Sequence, residues 1–203
     1  MRTVAIIAVL SAALAQAEPL DRIAVTVGNQ VITESALILD LRVGAFLDRG
    51  PVDVSPAAKR RAAERLVDQA LILREATDSH LALPTQQNAI ALLNGLKEQF
   101  GPPEEYQAAL KHYGIEESDV IGQLLSGLIG VTFTELRFRP AVQLPEEDLR
   151  AYFKTLPGGA SFEDSRDEIE ELLTQQRTTQ ALDQWLVTAR ANARVQFREQ
   201  VFQ

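Results

Sequence analysis

The sequence predicts a mostly α-helical protein carrying one small β-sheet, and three stretches predict it. Over residues 62–76, AAERLVDQALILREA, the apolar side chains Leu66, Val67, Ala70, Leu71 and Leu73 recur at spacings of three and four. That spacing gathers them on one broad side of a helix, with Arg65, Asp68, Gln69 and Arg74 on the other. Over residues 23–33, Ile23, Val25 and Val27 alternate with Ala24 and Thr26, Gly28-Asn29 supplies a two-residue turn, and Gln30 to Thr33 returns as a second strand. Two strands alone are marginal. Val195 and Phe197, alternating with Gln196 and Arg198, supply a third, expected to pair with residues 22–27 and tie the two ends of the chain together.

The remaining elements follow from periodicity and punctuation. Residues 34–49 read as a helix, with Leu37, Leu41 and Ala45 on one side and Leu39, Val43, Phe46 and Leu47 on an adjoining one, and Gly50-Pro51 ends it. Ser55-Pro56 opens the next helix, serine as N-cap and proline at the first helical position, running to about residue 78. Thr85 caps a helix to about residue 100, broken by Gly101-Pro102-Pro103. A shorter helix over 104–113 stops at Gly114, the residue type that a left-handed C-terminal cap prefers. Residues 117–139 form a long helix ended by Pro140, and Pro145 opens another through residue 154. After Pro157-Gly158-Gly159 comes one helix over 162–192, about 46 Å long if unbroken. Its two apolar clusters flank a wholly polar stretch, 174–180, which leaves its continuity open.

The chain opens MRTVAIIAVLSAALAQAEP. A positive start, a short apolar run and Ala15-Gln16-Ala17 have the form of a secretory signal peptide, residues 1–17, with cleavage expected before Glu18. The apolar run is too short for a membrane-spanning helix, which takes about 20 residues, so no stable membrane insertion is expected. The formal net charge of −8 becomes −9 once Arg2 is lost with that segment. An acidic balance opposes nucleic-acid binding and electrostatic docking on anionic lipid, and it points to apolar partner contacts. The chain has no cysteine, and its length suits a core that needs no disulfide staples.

Signals for catalysis are poor. The acidic clusters (Glu104-Glu105, Glu116 to Asp119, Glu146 to Asp148, Glu163 to Glu171) fall at predicted helix starts, where carboxylates offset the helix dipole. Basic residues at helix ends, Arg74, Lys111, Arg137, Arg139, Arg190 and Arg194, are the other half of that rule. His80 and His112 lack the partners of a metal site, and no Gly-rich phosphate loop or G-x-S-x-G elbow is present. The expectation is no enzyme, no cofactor and no metal. Trp185 reads as core. Phe100, Tyr106, Tyr113, Phe133, Phe138, Tyr152 and Phe153 line the middle of the chain and are the candidate peptide-binding set, an apolar cradle if some are exposed.

RIAVTVGNQVITES followed by ERLVDQALILREA resembles the N-terminal chaperone region of the SurA family, periplasmic foldases of outer-membrane assembly. LPEEDLRAYF is similar to the segment preceding that family's parvulin isomerase module. Residues 161–197, from SFEDSRDEIEELL to ARVQF, are similar to the C-terminal helix and strand that return after it. Only residues 154–161 lie between these pieces here, too few for an isomerase core, so no isomerase active-site residue carries over. The resemblance therefore implies a SurA-like helical region at 18–155, a linker at 156–161 where a parvulin domain would sit, and a C-terminal helix and strand at 162–203 packing back on it. The function it implies is an ATP-independent periplasmic holdase for unfolded polypeptides, plausibly outer-membrane proteins in transit. The alternative is a periplasmic adaptor with one dedicated partner, and a peptidyl-prolyl isomerase stands third. Oligomeric state is left open.

Overall fold

A computed structural model describes residues 21–158 and 161–203. The signal-peptide reading falls on residues 1–17 and lies outside the described residues. Among those described are seven α-helices and three strands: β1 (Ile23–Val27), β2 (Gln30–Thr33), α1 (Glu34–Leu47), α2 (Pro56–Asp78), α3 (Gln86–Glu98), α4 (Pro103–Tyr113), α5 (Glu117–Arg137), α6 (Glu146–Phe153), α7 (Phe162–Asn192) and β3 (Val195–Phe197). Short 3-10 turns follow α5, over Arg139–Ala141, and β3, over Glu199–Phe202. The fold is mostly α with a small antiparallel sheet, as the periodicities predict.

The sheet order is β2-β1-β3. Val27 pairs with Gln30 across the Gly28-Asn29 turn, and Val25 faces Phe197 on the other side of β1, so the two ends of the sequence meet. Gly28 has φ +58°, a left-handed conformation that glycine adopts without a Cβ penalty. The side of the sheet carrying Val25, Val27 and Ile32 buries against Ala62, Ala63, Val67 and Leu71 of α2, closed at one end by Val201.

Helix boundaries follow the expected capping chemistry. The Ser55 hydroxyl accepts from Ala58 N–H ahead of Pro56, and Ser161 caps α7 in the same way through Asp164 N–H. Gly114 closes α4 with φ +63°. Acidic residues occupy the first turns of α4, α5, α6 and α7, where they meet the positive end of each dipole. Arg74 departs from the pattern, because α2 continues to Asp78 and its last turn has no basic residue.

The buried stripe of α2 is Ala58, Ala62, Ala63, Val67, Leu71, Ile72 and Ala76, not the broader side expected. Leu73 stands 43% exposed, six residues beyond Val67 and so about 240° around the helix from it. Ile72 takes the buried place. Helix α7 is continuous through its polar stretch, with Thr178 fully buried within it. Two further cores complete the interior. One joins α1, α3, α4 and the start of α5 around Phe46, Leu93 and Val120. The other joins the ends of α2 and α5 to α7 around Ile72, Ala76 and Phe133.

Candidate functional site

The seven aromatic candidates do not share a surface. Phe100, Tyr106 and Tyr113 surround Phe46, with ring centroids 5.1, 6.0 and 5.8 Å from it. Tyr106 is buried, and the Tyr113 hydroxyl donates to the Gly50 carbonyl at 2.9 Å. Burial, with the Glu117 carboxylate facing the phenol, pushes Tyr106 up to about 12. Phe133 is fully enclosed, 5.6 Å from Phe138 and 5.0 Å from Trp185. Phe153 packs edge-on against Phe162 at 5.5 Å, and Tyr152 is half-buried beside it on α6. The expectation of one aromatic cradle is thus corrected: two clusters form core and a third closes the α6–α7 corner. Tyr106 and Phe133 are out of reach of any peptide. The reason is geometric, since large rings near helix ends cover the gaps where helices cross. Trp185 packs between the sheet core and the Phe133 core, in the structural role predicted for it.

One surface hollow, of about 470 Å³, is bordered by charged side chains. It is bounded by Asp40, Asp48, Asp53, Arg61 and Arg65. Two of its three carboxylates are paired: the buried Asp40 carboxylate accepts from Arg65 and from the Gln123 amide, and Arg61 lies 3.9 Å from Asp53. An apolar chain gains little there.

A different hollow offers apolar walls. It opens where the free edge of β2 crosses α2 and α5, with a volume of about 270 Å³ and a lining that includes Val31, Ile32, Leu66, Ile72, Leu73 and Ile129. Its lining carries no formal charge; Gln30, Gln69 and Ser126 are the polar members. Over Ile72 and Gly130 it runs on into a second hollow of about 360 Å³ between α5 and α7, where Val131, Thr134 and Glu135 form the rim. Val31 is 52% exposed and Val131 64% exposed along this path. The two hollows share Ile72 and Gly130 and form one apolar, solvent-accessible path.

Helix α5 adds a second peculiarity. Gly122, Gly127 and Gly130 lie inside it, and a Cβ at any of them would meet nothing within 4 Å. Glycine inside a helix costs about 1 kcal/mol relative to alanine, and no neighbour among the described residues comes within 4 Å of where the Cβ would sit. Gly127 and Gly130 both border the groove. Periodicity assigns Leu73 to the apolar side of α2 and gives no binding role to Val31, Ile129 or Gly130. Glycines recurring within a strongly periodic helix are the signal that could have found them.

Among the described residues no three His, Asp or Glu side chains converge as a metal site, and no helix is long and apolar enough to cross a membrane. No known protein-family profile matches the chain, and no curated protein shows significant similarity to it.

Proposed function

We propose that this protein is an ATP-independent holdase of the SurA-like type, working in the periplasm on unfolded polypeptides such as outer-membrane proteins in transit, without isomerase activity. The observation that carries the proposal is the uncharged apolar groove beside the free edge of β2. It is open along its length, so it admits a chain rather than enclosing a small molecule. It also lies on the hairpin and α2, the segments whose sequence resembles the SurA chaperone region. The closeness of α6 and α7, with residues 154–161 alone between them, supports a protein built without the catalytic module. Its binding energy would come from apolar contact, so affinity is modest and release needs no nucleotide.

The test is light scattering of a denatured outer-membrane porin diluted into buffer with and without residues 18–203. Suppression at near-stoichiometric protein is the expected result. Unchanged aggregation in the presence of folded protein overturns the general holdase and directs the search to one dedicated partner. Proline isomerisation in a model peptide is expected to stay at its uncatalysed rate.

A further inference from the structure

Holding an unfolded chain could be indiscriminate, but the groove is more selective than that. Among the described residues β2 is an edge strand, paired with β1 alone. Val27 and Gln30 flank the two-residue turn, and the next pair out is Thr26 with Val31. In an antiparallel hairpin of this register, hydrogen-bonded and non-hydrogen-bonded pairs alternate away from the turn. The N–H and C=O of Val31 therefore point outward, over the groove, with no strand among the described residues to receive them.

Below that edge lies the apolar floor from α2 and α5, with Gly130 leaving room for another backbone to come close. Charge is distributed unevenly along it. The first hollow has none. At the far end the lining carries one formal charge, Glu135, whose partner Arg139, 3.4 Å away, is shared with Glu171 at 2.5 Å, two carboxylates to one guanidinium. The chain as a whole is at −8. Such a channel complements a segment that is uncharged along most of its length and basic at one end, and it repels an acidic one.

We propose that the occupant is an extended polypeptide segment added as a strand to the free edge of β2, with apolar side chains at alternate positions and a lysine or arginine at the end near Glu135. Main-chain pairing to Val31 gives sequence-tolerant affinity, and alternate side chains entering the groove give selectivity. The inference rests on the holdase reading and narrows it. The favoured clients are amphipathic strand sequences, the pattern of which transmembrane β-barrels are built. Helix-forming segments of equal hydrophobicity are poor clients.

Fluorescence anisotropy with labelled peptides tests this on residues 18–203. Three peptides share one apolar content: a Val/Thr alternation ending in lysine, the same alternation ending in aspartate, and a scramble with apolar residues at helical spacing. The lysine-ended alternation is expected to bind about tenfold tighter than either of the others, a difference of about 1.4 kcal/mol. A Cβ at Gly130 meets nothing within 4 Å, so Gly130→Leu extends from α5 into the groove, and thermal stability is expected to hold while binding falls about tenfold or more. Val31→Pro removes the outward N–H, a place where an edge strand tolerates proline, and is expected to weaken the alternating peptide alone. Equal binding of the three peptides, or Gly130→Leu binding like the parent, overturns strand addition. If the parent also suppresses porin aggregation in that case, the holdase reading survives without it. Selective binding that disappears in Gly130→Leu supports strand addition, even where porin aggregation is not suppressed.

Discussion

The aromatic cluster around Phe46 and the groove beside β2 are opposite solutions for apolar residues. Around Phe46, three rings stack or meet edge-on, Phe100 from just past α3 and Tyr106 and Tyr113 from α4, and the Arg49 guanidinium covers Phe100 at 4.7 Å. Every apolar surface there has a partner. In the groove, aliphatic side chains and glycines face open space, and the rim residues Val31, Leu73 and Val131 remain exposed. Large aromatic side chains draw attention as binding candidates, yet here they are spent on cohesion. Where this molecule is unfinished, its residues are small or aliphatic. What marks the candidate site is the missing neighbour, not the size of the side chain.

The contrast can be broken most severely at its packed end. Phe46→Ala removes the ring on which Phe100, Tyr106 and Tyr113 converge, and is expected to cost about 3–5 kcal/mol. The corresponding fall in melting temperature is on the order of 10 °C. Groove peptide binding at low temperature should change little, because none of those rings lines the groove. A fall below about 1 kcal/mol would mean that the cluster is not the closed core described.

Charge at the start of α1 offers a smaller, pH-dependent test. The Glu34 carboxylate accepts from the Lys59 ammonium at 2.6 Å and from Arg22 at 2.6 Å. The Lys59 hydrogen bond above all, with Arg22 adding to it, holds its carboxyl below the ordinary value of 4.5. A depressed folded-state value contributes stability that is present above 4.5 and is lost as pH falls through the lower folded value. Glu34→Gln is expected to lose about 1 kcal/mol at neutral pH. Below pH 4.5 its denaturant midpoint should converge on the parent's. A gap that persists at pH 2 would assign the loss to packing.

The smallest effect sharpens the comparison from the open side. Gly127→Ala places a methyl in empty space on α5 and is expected to stabilise by up to about 1 kcal/mol, seen as a higher melting temperature. Gly114→Ala is expected to do the reverse, because φ +63° penalises a Cβ and the Arg42 guanidinium lies 3.5 Å from where it would sit. Two glycine replacements of opposite sign would separate a glycine the fold requires from one it does not.

Much of the architecture is legible in the residues because the signals are local. The Gly28-Asn29 turn, Ser55-Pro56 at the head of α2 and Gly114 behind α4 each act within a few residues. The third strand was also legible, since Val195 and Phe197 alternate where the hairpin lacks a neighbour. Exposure was less legible, because it depends on which helices cross. Leu73 and Ile72 are adjacent and equally apolar, and the position of α5 decides that one faces solvent and the other the core. For the same reason the aromatic set could be read as surface, while the glycines of α5 could be read only as weak helix formers.

The pairing of β1 with β3 has a consequence for the life of the chain. The hairpin is a local contact, but one of its flanks is completed by residues about 170 positions later in the sequence. Until Val195 to Phe197 arrive, β1 presents an open edge, and the buried side of α2 lacks the cover of Val201 and Phe202. Closure is therefore a long-range contact, the kind whose loop-closure entropy slows folding more than local helix formation does. Before that moment the protein is itself an unpaired strand in need of a partner, the same condition in which its proposed clients would reach it.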